Sequence, residues 1–393
     1  MRENPTGLFI NGEWRSSPTT LTVRDPGTGE PVETVATAST ADCLEAVGAA
    51  HAAFPAWRAT APRLRAEVLR RAFDIMTTEV DEIAELIVRE NGKVLADAKS
   101  ETAYAAEFFR WFSEEAVRVD GALTRAPGGT NWIAVTRQPV GVAVLITPWN
   151  FPAAMLTRKI GPALAAGCTV VVKPAAETPL TALRIADVLQ RAGAPAGVVN
   201  VVVADPPGEA VAAMLADDRV RKLSFTGSTN VGRELLTHAA RRVVNCSMEL
   251  GGNAPFVMLA DADVDAAIAG AMLAKMRNGG AACTAANRFL VADAVAAEFT
   301  EKLAARMSSL VVGHGLDPAS QVGCSRIAGA TDSRQRTDRT RCCRRRSHRR
   351  SRHRPRREGI VCRSRRARQR WTRQRAVQHG SLRTGRTDHD VRR

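Results

Sequence analysis

Apolar residues recur at helical spacing in the first part of the chain. Between residues 62 and 90 they fall three or four positions apart until Asn91-Gly92, which predicts one amphipathic helix that ends there. Residues 101–117 predict a second, aromatic-rich helix, and residues 121–138 predict an extended arm. Before these helices, Leu8–Ile10 predicts a short strand that runs into a turn.

After residue 139 the pattern changes to short apolar runs separated by amphipathic stretches. Continuous apolar runs predict strands that are buried on both faces, at Val140–Ile146, Thr169–Val172 and Val198–Val203. A strand at Lys222–Phe225 and helices at 180–191, 208–216 and 230–241 complete the series. This alternation predicts an α/β fold with a doubly wound parallel sheet, which binds ligands at the carboxyl ends of its strands.

A second α/β unit follows, with strands predicted at 255–259 and 288–292 and helices at 263–277 and 294–309. From Cys324 onward the sequence has no periodicity. We therefore predict a cofactor-binding domain at 1–250, with a bridging arm near 121–138, and an incomplete catalytic domain at 251–323. Residues 324–393 predict an Arg-rich, disordered tail.

Charge divides the chain at the same point. The 393 residues carry a net charge of +16, which is typical of a nucleic-acid-binding protein. Residues 324–393, however, hold 25 Arg and 5 acidic residues, whereas residues 1–323 have a net charge of −4. The tail also has no Lys, although 7 occur before it. This favours translation in a shifted frame, or a miscalled end, over a phosphate-binding or a merely solvated tail. We expect only nonspecific nucleic-acid binding through it.

Composition also argues against a membrane protein and a metalloprotein. No apolar run reaches the roughly 20 residues that a membrane-spanning helix needs, and the N-terminus has no apolar signal segment. The cysteines before the tail, at 43, 168, 246 and 283, lack the spacing of a metal site. We therefore expect a cytoplasmic protein with reduced thiols and without a membrane partner.

Three residues at predicted strand ends or beside glycines are candidates for catalysis. Cys283 follows Gly279-Gly280 and is a candidate nucleophile, although a lone Cys is more often a small buried apolar residue. Glu249 precedes Gly251-Gly252 and is a candidate general base or a surface residue before a turn. Asn150 follows a buried strand and could donate to an oxyanion or simply shape the turn.

Two further candidates suit a nucleotide. Lys173 ends a predicted strand, where its cation could reach a ribose or phosphate or could be solvated. Gly227-Ser228 joins a strand to a helix and could present N–H groups to a phosphate, although such residues also cap helices. Because open α/β sheets bind ligands at strand ends, the five candidates together favour a single site.

The order of the motifs resembles the aldehyde dehydrogenase superfamily. The matching segments are Thr147-Pro148-Trp149-Asn150-Phe151-Pro152, Lys173-Pro174-Ala175, Phe225-Thr226-Gly227-Ser228-Thr229, Glu249-Leu250-Gly251-Gly252-Asn253 and the Asn-x-Gly-x-x-Cys element ending at Cys283. Five ordered motifs make the resemblance specific over residues 1–323.

The resemblance implies a role for each catalytic candidate. Cys283 would attack the aldehyde carbonyl to give a thiohemiacetal, and Asn150 with the N–H of Cys283 would hold the oxyanion. Glu249 would activate the water that hydrolyses the thioester, and Lys159 would help to position the site.

The resemblance also implies the cofactor site. Lys173 would contact the adenine ribose, Gly227 and Ser228 would line the pyrophosphate region, and the remaining cofactor-binding positions would be Thr147, Pro148, Trp149, Ala176 and Leu250. Relatives that prefer NAD often carry a Glu where this chain has Ala176. Without that anion a 2′-phosphate is not repelled, so we expect NADP, with NAD as the alternative.

Within the superfamily the chain most resembles succinate-semialdehyde dehydrogenases. Arg158, in Thr157-Arg158-Lys159, and Arg277, six residues before the nucleophile, match the two arginines that hold the substrate's distal carboxylate there. Planar guanidinium groups suit a carboxylate. The alternative is that both are charges on a helix surface.

The chain also departs from the family's pattern. A later Glu-x-Phe-Gly-Pro element, which grips the nicotinamide ribose, and the strand that builds the homo-oligomer have no counterpart. From sequence we therefore expect little or no activity and impaired assembly. The alternatives are an inactive fragment with residual nucleotide binding, or an anion-binding protein that acts through its tail.

Overall fold

The computed structural model describes residues 3–324. The prediction of a disordered basic tail therefore lies outside the described residues, apart from Cys324. No helix within residues 3–324 is long and apolar enough to cross a membrane.

In the described residues, four strands and four helices come first, and strands and helices mostly alternate from residue 142 onward. The strands are β1 (Leu8–Ile10), β2 (Glu13–Arg15), β3 (Thr20–Arg24), β4 (Pro31–Ala36), β5 (Ala122–Arg125), β6 (Trp132–Val135), β7 (Val142–Ile146), β8 (Thr169–Lys173), β9 (Val199–Val201), β10 (Val220–Gly227), β11 (Asn245–Leu250), β12 (Ala254–Met258) and β13 (Ala286–Val291). The helices are α1 (Thr40–Ala59), α2 (Pro62–Thr78), α3 (Val80–Asn91), α4 (Leu95–Glu115), α5 (Ala154–Ala166), α6 (Pro179–Arg191), α7 (Gly208–Ala216), α8 (Thr229–Ala240), α9 (Val264–Met276) and α10 (Asp293–Ser308), with a short 3₁₀ turn at Arg277–Gly280.

The main sheet has seven strands in the order β11-β10-β7-β8-β9-β1-β2. The five strands from β11 to β9 pair in parallel, which confirms the predicted α/β fold with a parallel sheet. The N-terminal hairpin extends this sheet, because β1 pairs antiparallel with β9 through Phe9 and Val201.

The strands separate two apolar cores because their side chains alternate between the two faces of the sheet. In β7, Ala143 and Leu145 face one core, and Val144 and Ile146 face the other. Helices cover both faces, which explains why β7 reads as an unbroken apolar run. The predicted doubly wound arrangement is therefore present.

The helical region differs from the prediction in two ways. The single helix expected at 62–90 is two helices, α2 and α3, which meet at Glu79 with non-helical backbone angles. The Glu79 side chain forms ion pairs with Arg184 and Arg191 of α6. The break between the helices is therefore linked to a contact with a distant helix, which the spacing of apolar residues cannot show. Sequence reasoning also missed α1, whose many alanines give little contrast between its faces.

The side of the sheet to which successive strands are added changes between β7 and β10, although these two strands are parallel neighbours. From β7 the next strands, β8 and β9, lie on one side, while β10 and β11 lie on the other. Connections that leave in opposite directions open a crevice at the carboxyl ends of two neighbouring strands. The segments after β7 and β10, which carry Asn150 and Ser228, begin at this point.

The second α/β unit has a small core of its own. Its strands β12 and β13 pair in parallel and carry α9 and α10. The rings of Phe256, Phe289 and Phe299 lie with centroids between 5.6 and 6.1 Å apart. The arm expected at 121–138 is a hairpin of β5 and β6, and the side chains of both strands are exposed.

Candidate active site

The proposed cofactor residues lie at the carboxyl ends of four neighbouring strands. Lys173 ends β8 and pairs in register with Ile146 at the end of β7, where Thr147, Pro148 and Trp149 follow. Across the switch point, Gly227 at the end of β10 pairs with Leu250 of β11. Ala176 lies in the turn after β8. The fold therefore brings together segments that are far apart in the sequence.

This edge of the sheet offers groups that suit a dinucleotide. Ser228 is the N-cap of α8 and accepts from the Val231 N–H at 3.4 Å. The N–H groups in the first turn of a helix point toward its N-terminal end, which here follows directly on Gly227. The hydroxyl of Thr226 is buried and has no hydrogen-bond partner among the described residues. Backbone donors at the start of α8, Lys173 at the end of β8 and the hydroxyl of Thr226 are each of a type that suits phosphate and ribose oxygens.

Lys173 is buried, and an acidic neighbour lies close to it. Burial lowers the pKa of Lys173, and the charges of Glu177 and Asp205 oppose that shift. Ala176 itself carries no charge, but the carboxylate of the next residue acts on the same lysine. A negative charge is therefore present beside Lys173, one residue after the uncharged Ala176.

The strands β10 and β11 have one apolar and one polar face. Leu223 and Phe225 belong to a buried core, whereas Ser224 faces the opposite side and accepts from Lys159 Nζ at 2.9 Å. In β11, Glu249 pairs in register with Thr226, and its side chain is exposed. Alternation along the strands thus places Glu249 on the polar face together with Ser224.

Lys159 of α5 is the buried member of this polar face. The pKa of Lys159 is lowered to about 8 because the side chain is buried and the charge of Arg158 lies near it, while the carboxylate of Glu249 opposes the shift. The structure therefore brings Lys159 and Glu249 within electrostatic reach of each other, although 90 positions separate them in the chain.

Asn150 is held by side chains from distant parts of the chain. The backbone carbonyl oxygen of Asn150 accepts from Lys93 Nζ at 3.0 Å and from Asn278 Nδ2 at 2.7 Å. The carbonyl of the preceding Trp149 accepts from Asn91 Nδ2 at 2.8 Å. Because they reach backbone carbonyls, these hydrogen bonds hold the loop itself and do not depend on the Asn150 side chain.

Both members of the ion pair beside Asn150, Lys93 and Glu101, are buried. Lys93 Nζ donates to Glu101, and the side chains are 1% and 0% exposed. The other oxygen of Glu101 accepts from the N–H groups of Ala153 and Ala154 at 2.9 and 3.2 Å, at the start of α5. This pair therefore connects the start of α5 with the loop that carries Asn150.

Cys283 lies in the loop that Asn150 contacts. Asn150 Nδ2 donates to the carbonyl of Ala281 at 2.7 Å, which joins segments 131 residues apart. The Cys283 side chain is exposed, between the 3₁₀ turn and β13, so the expectation of a buried apolar Cys does not apply. By contrast, Cys43 and Cys168 are buried.

The two arginines predicted to bind substrate lie along one aromatic row. Arg158 lies over the Phe108 ring, with its guanidinium carbon 5.8 Å from the ring centroid, and Arg277 lies over Phe151 at the same distance. Phe108 neighbours Tyr104 at 4.8 Å, and Tyr104 lines a small cavity with Phe151 and Arg277. Arg158 is half-buried, while Arg277 is exposed.

Sequence reasoning missed four polar residues that support this site. Asn91 was interpreted only as the end of a helix, and Lys93, Glu101 and Ser224 were not singled out. Burial of Asn91, Lys93 and Glu101 follows from tertiary packing, and their sequence has no motif that signals it. Ser224 did carry a signal, because it alternates with Leu223 and Phe225.

Comparison with known proteins gives one consistent family. The sequence profile of the aldehyde dehydrogenase family matches residues 14–337. A succinate-semialdehyde dehydrogenase of Paenarthrobacter nicotinovorans is 56% identical over 299 residues, which cover 76% of this chain and 66% of that protein. A glutarate-semialdehyde dehydrogenase of Pseudomonas putida is 48% identical over 317 residues, which cover 80% and 66% respectively.

Solved structures agree with this. A crystal structure described as an E. coli NADP-dependent enzyme superposes with a TM-score of 0.80 at 45% identity, and covers 81% of this chain and 67% of its own. The chain thus spans about two thirds of the length of the curated relatives that it matches.

Proposed function

Because the chain belongs to the aldehyde dehydrogenase family, we propose that it oxidises an aldehyde to a carboxylate with a nicotinamide nucleotide and with Cys283 as nucleophile. The observation that carries the proposal is the hydrogen bond between the Asn150 amide and the loop of Cys283. It joins a candidate oxyanion donor to a candidate nucleophile, which are the two groups that carbonyl attack requires.

In the proposed reaction the Cys283 sulfur bonds to the aldehyde carbon, and the carbonyl oxygen becomes an oxyanion. The second N–H of the Asn150 amide and the backbone N–H of Cys283 bind this oxyanion. The carbon of this adduct would give up its hydride to a bound nicotinamide nucleotide, which would supply the two-electron acceptor. Cys283 is then left as a thioester that water must hydrolyse.

Glu249 is the proposed base for that hydrolysis. Its exposed carboxylate on the polar face of β11 has access to water. Lys159, whose pKa burial lowers to about 8, lies within its electrostatic reach. The Lys159 cation interacts with this carboxylate, which accepts a proton from water in the proposed hydrolysis.

We propose that the substrate carries a distal carboxylate, of the succinate-semialdehyde type. Arg158 and Arg277 along the aromatic row support this, because planar cations bind carboxylates in a bidentate manner. The names of the two curated relatives agree with a semialdehyde of four or five carbons.

We propose NADP as the preferred cofactor and NAD as the alternative. The uncharged Ala176 and the cation of Lys173 favour a 2′-phosphate. Glu177 disfavours it to the extent that its carboxylate faces the ribose. Comparing kcat/KM with the two nucleotides tests this, and Glu177→Gln should raise the ratio for NADP over NAD severalfold. An unchanged ratio would show that Glu177 does not face the ribose.

The direct test is turnover of succinate semialdehyde with NADP by the purified full chain, followed by nucleotide absorbance, and the sequence predicts that the rate is low. We expect Cys283→Ser to abolish turnover and Cys246→Ser, a matched change on the same chain, to retain it. Turnover that survives Cys283→Ser would refute the proposal. Nucleotide binding in a titration without any turnover by the wild-type chain would instead support the binding-only alternative.

A further inference from the structure

The turn before the nucleophile contains a buried asparagine in a left-handed conformation. Asn278 has φ 55° and ψ 42°, and its side chain is 3% exposed. Few residues other than Gly, Asn and Asp adopt this conformation without strain. Asp97 of α4 lies beside it: burial raises the pKa of Asp97, and the charge of Lys93 and the backbone of Asn278 oppose that rise.

Asn278 closes a ring of hydrogen bonds with Asn150. Asn278 Nδ2 donates to the Asn150 carbonyl at 2.7 Å, and Asn150 Nδ2 donates to the Ala281 carbonyl at 2.7 Å. The Ala281 N–H in turn donates to the Asn278 carbonyl at 3.0 Å. The ring fixes the Asn150 side chain against the backbone two residues before Cys283.

The backbone carbonyl oxygen of Asn150 accepts two hydrogen bonds. A carbonyl oxygen has two lone pairs, and here Lys93 and Asn278 each donate to it. The peptide plane after Asn150 therefore has one favoured orientation. Because one N–H of the Asn150 amide donates to Ala281, the other N–H has a defined direction as well.

We propose that Asn278 is a positioning residue that orients the Asn150 amide for binding the oxyanion. The inference rests on the proposed function of Cys283 and Asn150, and it adds Asn278 as a residue on which that function depends. Oxyanion donors accelerate a reaction when they are already oriented before charge develops. Asn278 acts through Asn150 and does not itself contact the reacting atoms.

Two reactions of Cys283 separate orientation from simple access. With 4-nitrophenyl acetate, the thiolate sulfur bonds to the carbonyl carbon, an oxyanion forms, and its collapse expels 4-nitrophenolate. With iodoacetamide, the sulfur displaces iodide directly and no oxyanion forms. Neither reaction needs a nucleotide, and mass spectrometry of the Cys283 peptide measures both rates on the full chain.

Two variants of Asn278 avoid backbone strain. Asn278→Gly removes the donor but tolerates the left-handed conformation, and Asn278→Asp keeps the size but places a carboxylate oxygen against the Asn150 carbonyl. Asn11→Gly is the matched control, because Asn11 has φ 53° and is exposed far from the site. Thermal unfolding by circular dichroism shows that each variant folds.

We expect Asn278→Gly to slow acylation of Cys283 by about 10- to 100-fold, since a small misplacement of a catalytic group can cost about 100-fold. Alkylation should change by less than about threefold, because no oxyanion forms. Asn278→Asp should slow acylation at least as much, while Asn11→Gly should leave both rates unchanged. Should Asn278→Gly fail to fold, Asn278→Asp carries the same comparison.

A double variant tests whether Asn278 acts through Asn150. Asn150→Ala should slow acylation by itself, and adding Asn278→Gly should slow it little further, because the two residues share one effect. Equal slowing of acylation and alkylation, or additive effects in the double variant, would overturn this inference alone. A wild-type Cys283 that is alkylated but never acylated would overturn both this inference and the proposed function.

Discussion

Asn150 and Glu249, the proposed oxyanion donor and the proposed base, have opposite surroundings. Asn150 is held by two buried side chains, Lys93 from the segment between α3 and α4 and Asn278 from the turn at Arg277–Gly280, whereas Glu249 is exposed on β11, at the edge of the main sheet. An oxyanion donor gains from being fixed, because its orientation is then set before charge develops. A base that activates water gains from access to solvent. The two regions are therefore expected to respond differently to substitution.

The largest expected effect is a loss of folding stability when the buried ion pair beside Asn150 is broken. Lys93→Met leaves Glu101 buried without its cation, which should lower the free energy of unfolding by about 3–5 kcal/mol. Lys99→Met is the control, since its ion pair with Asp81 has side chains 47% and 75% exposed. That change should cost less than about 1 kcal/mol. Urea unfolding measures both, and equal costs would mean that the buried pair does not hold this region.

A second difference should appear with pH at Lys159. Its folded-state pKa of about 8 lies below the ordinary value for lysine, so the folded protein releases this proton before the unfolded chain does. Stability should therefore rise with pH between about 8 and 10.4, by about 1.4 kcal/mol per pH unit from this group. Below pH 8 both states are protonated and the contribution is flat.

The measurement is urea unfolding at pH 7.5 and 9.5 for the wild type and for Lys159→Met. The rise should be smaller by about 2 kcal/mol in the variant. Ser224→Ala keeps the lysine and should retain the rise. If the free energy of unfolding rose equally in the wild type and in Lys159→Met, Lys159 would be hydrated and not buried. The polar face that carries Glu249 would then contain no buried cation.

The smallest expected effect on stability is at Glu249. Because its side chain is exposed, Glu249→Gln should change the free energy of unfolding by no more than about 0.5 kcal/mol. It should nevertheless stop hydrolysis of the acylated Cys283, seen as one fast release of 4-nitrophenolate without further turnover. A large loss of stability would show that Glu249 belongs to the fixed side of the site.

The sheet could be predicted from sequence because its strands are short, apolar and bounded by turns. The predicted helix at 208–216 matches α7, since its spacing reports the face that packs against the sheet. The break between α2 and α3 could not be read in this way. It depends on ion pairs between Glu79 and α6, more than 100 positions away.

The proposed site divides along the same line. Cys283, Glu249 and Asn150 occur in motifs, so residue type and order indicate them. Lys93 and Asn278 acquire their roles from hydrogen bonds to one carbonyl, and Asn278 is 128 residues from it in the chain. Local sequence cannot show such partners, because the same residues occur elsewhere as solvated turns and helix ends.

The position of β1 has a consequence for the order in which the chain assembles during synthesis. Asn11 donates its backbone N–H to Asn200 across 189 residues, next to the pairing of Phe9 with Val201. At about 5–20 residues per second, a ribosome delivers β9 roughly 10 to 40 s after β1. Until then the hairpin of β1 and β2 has no sheet to join, and an isolated hairpin is marginal in water. Strand β1 is thus added to a sheet edge that forms much later, and its apolar residues stay without that partner throughout the interval.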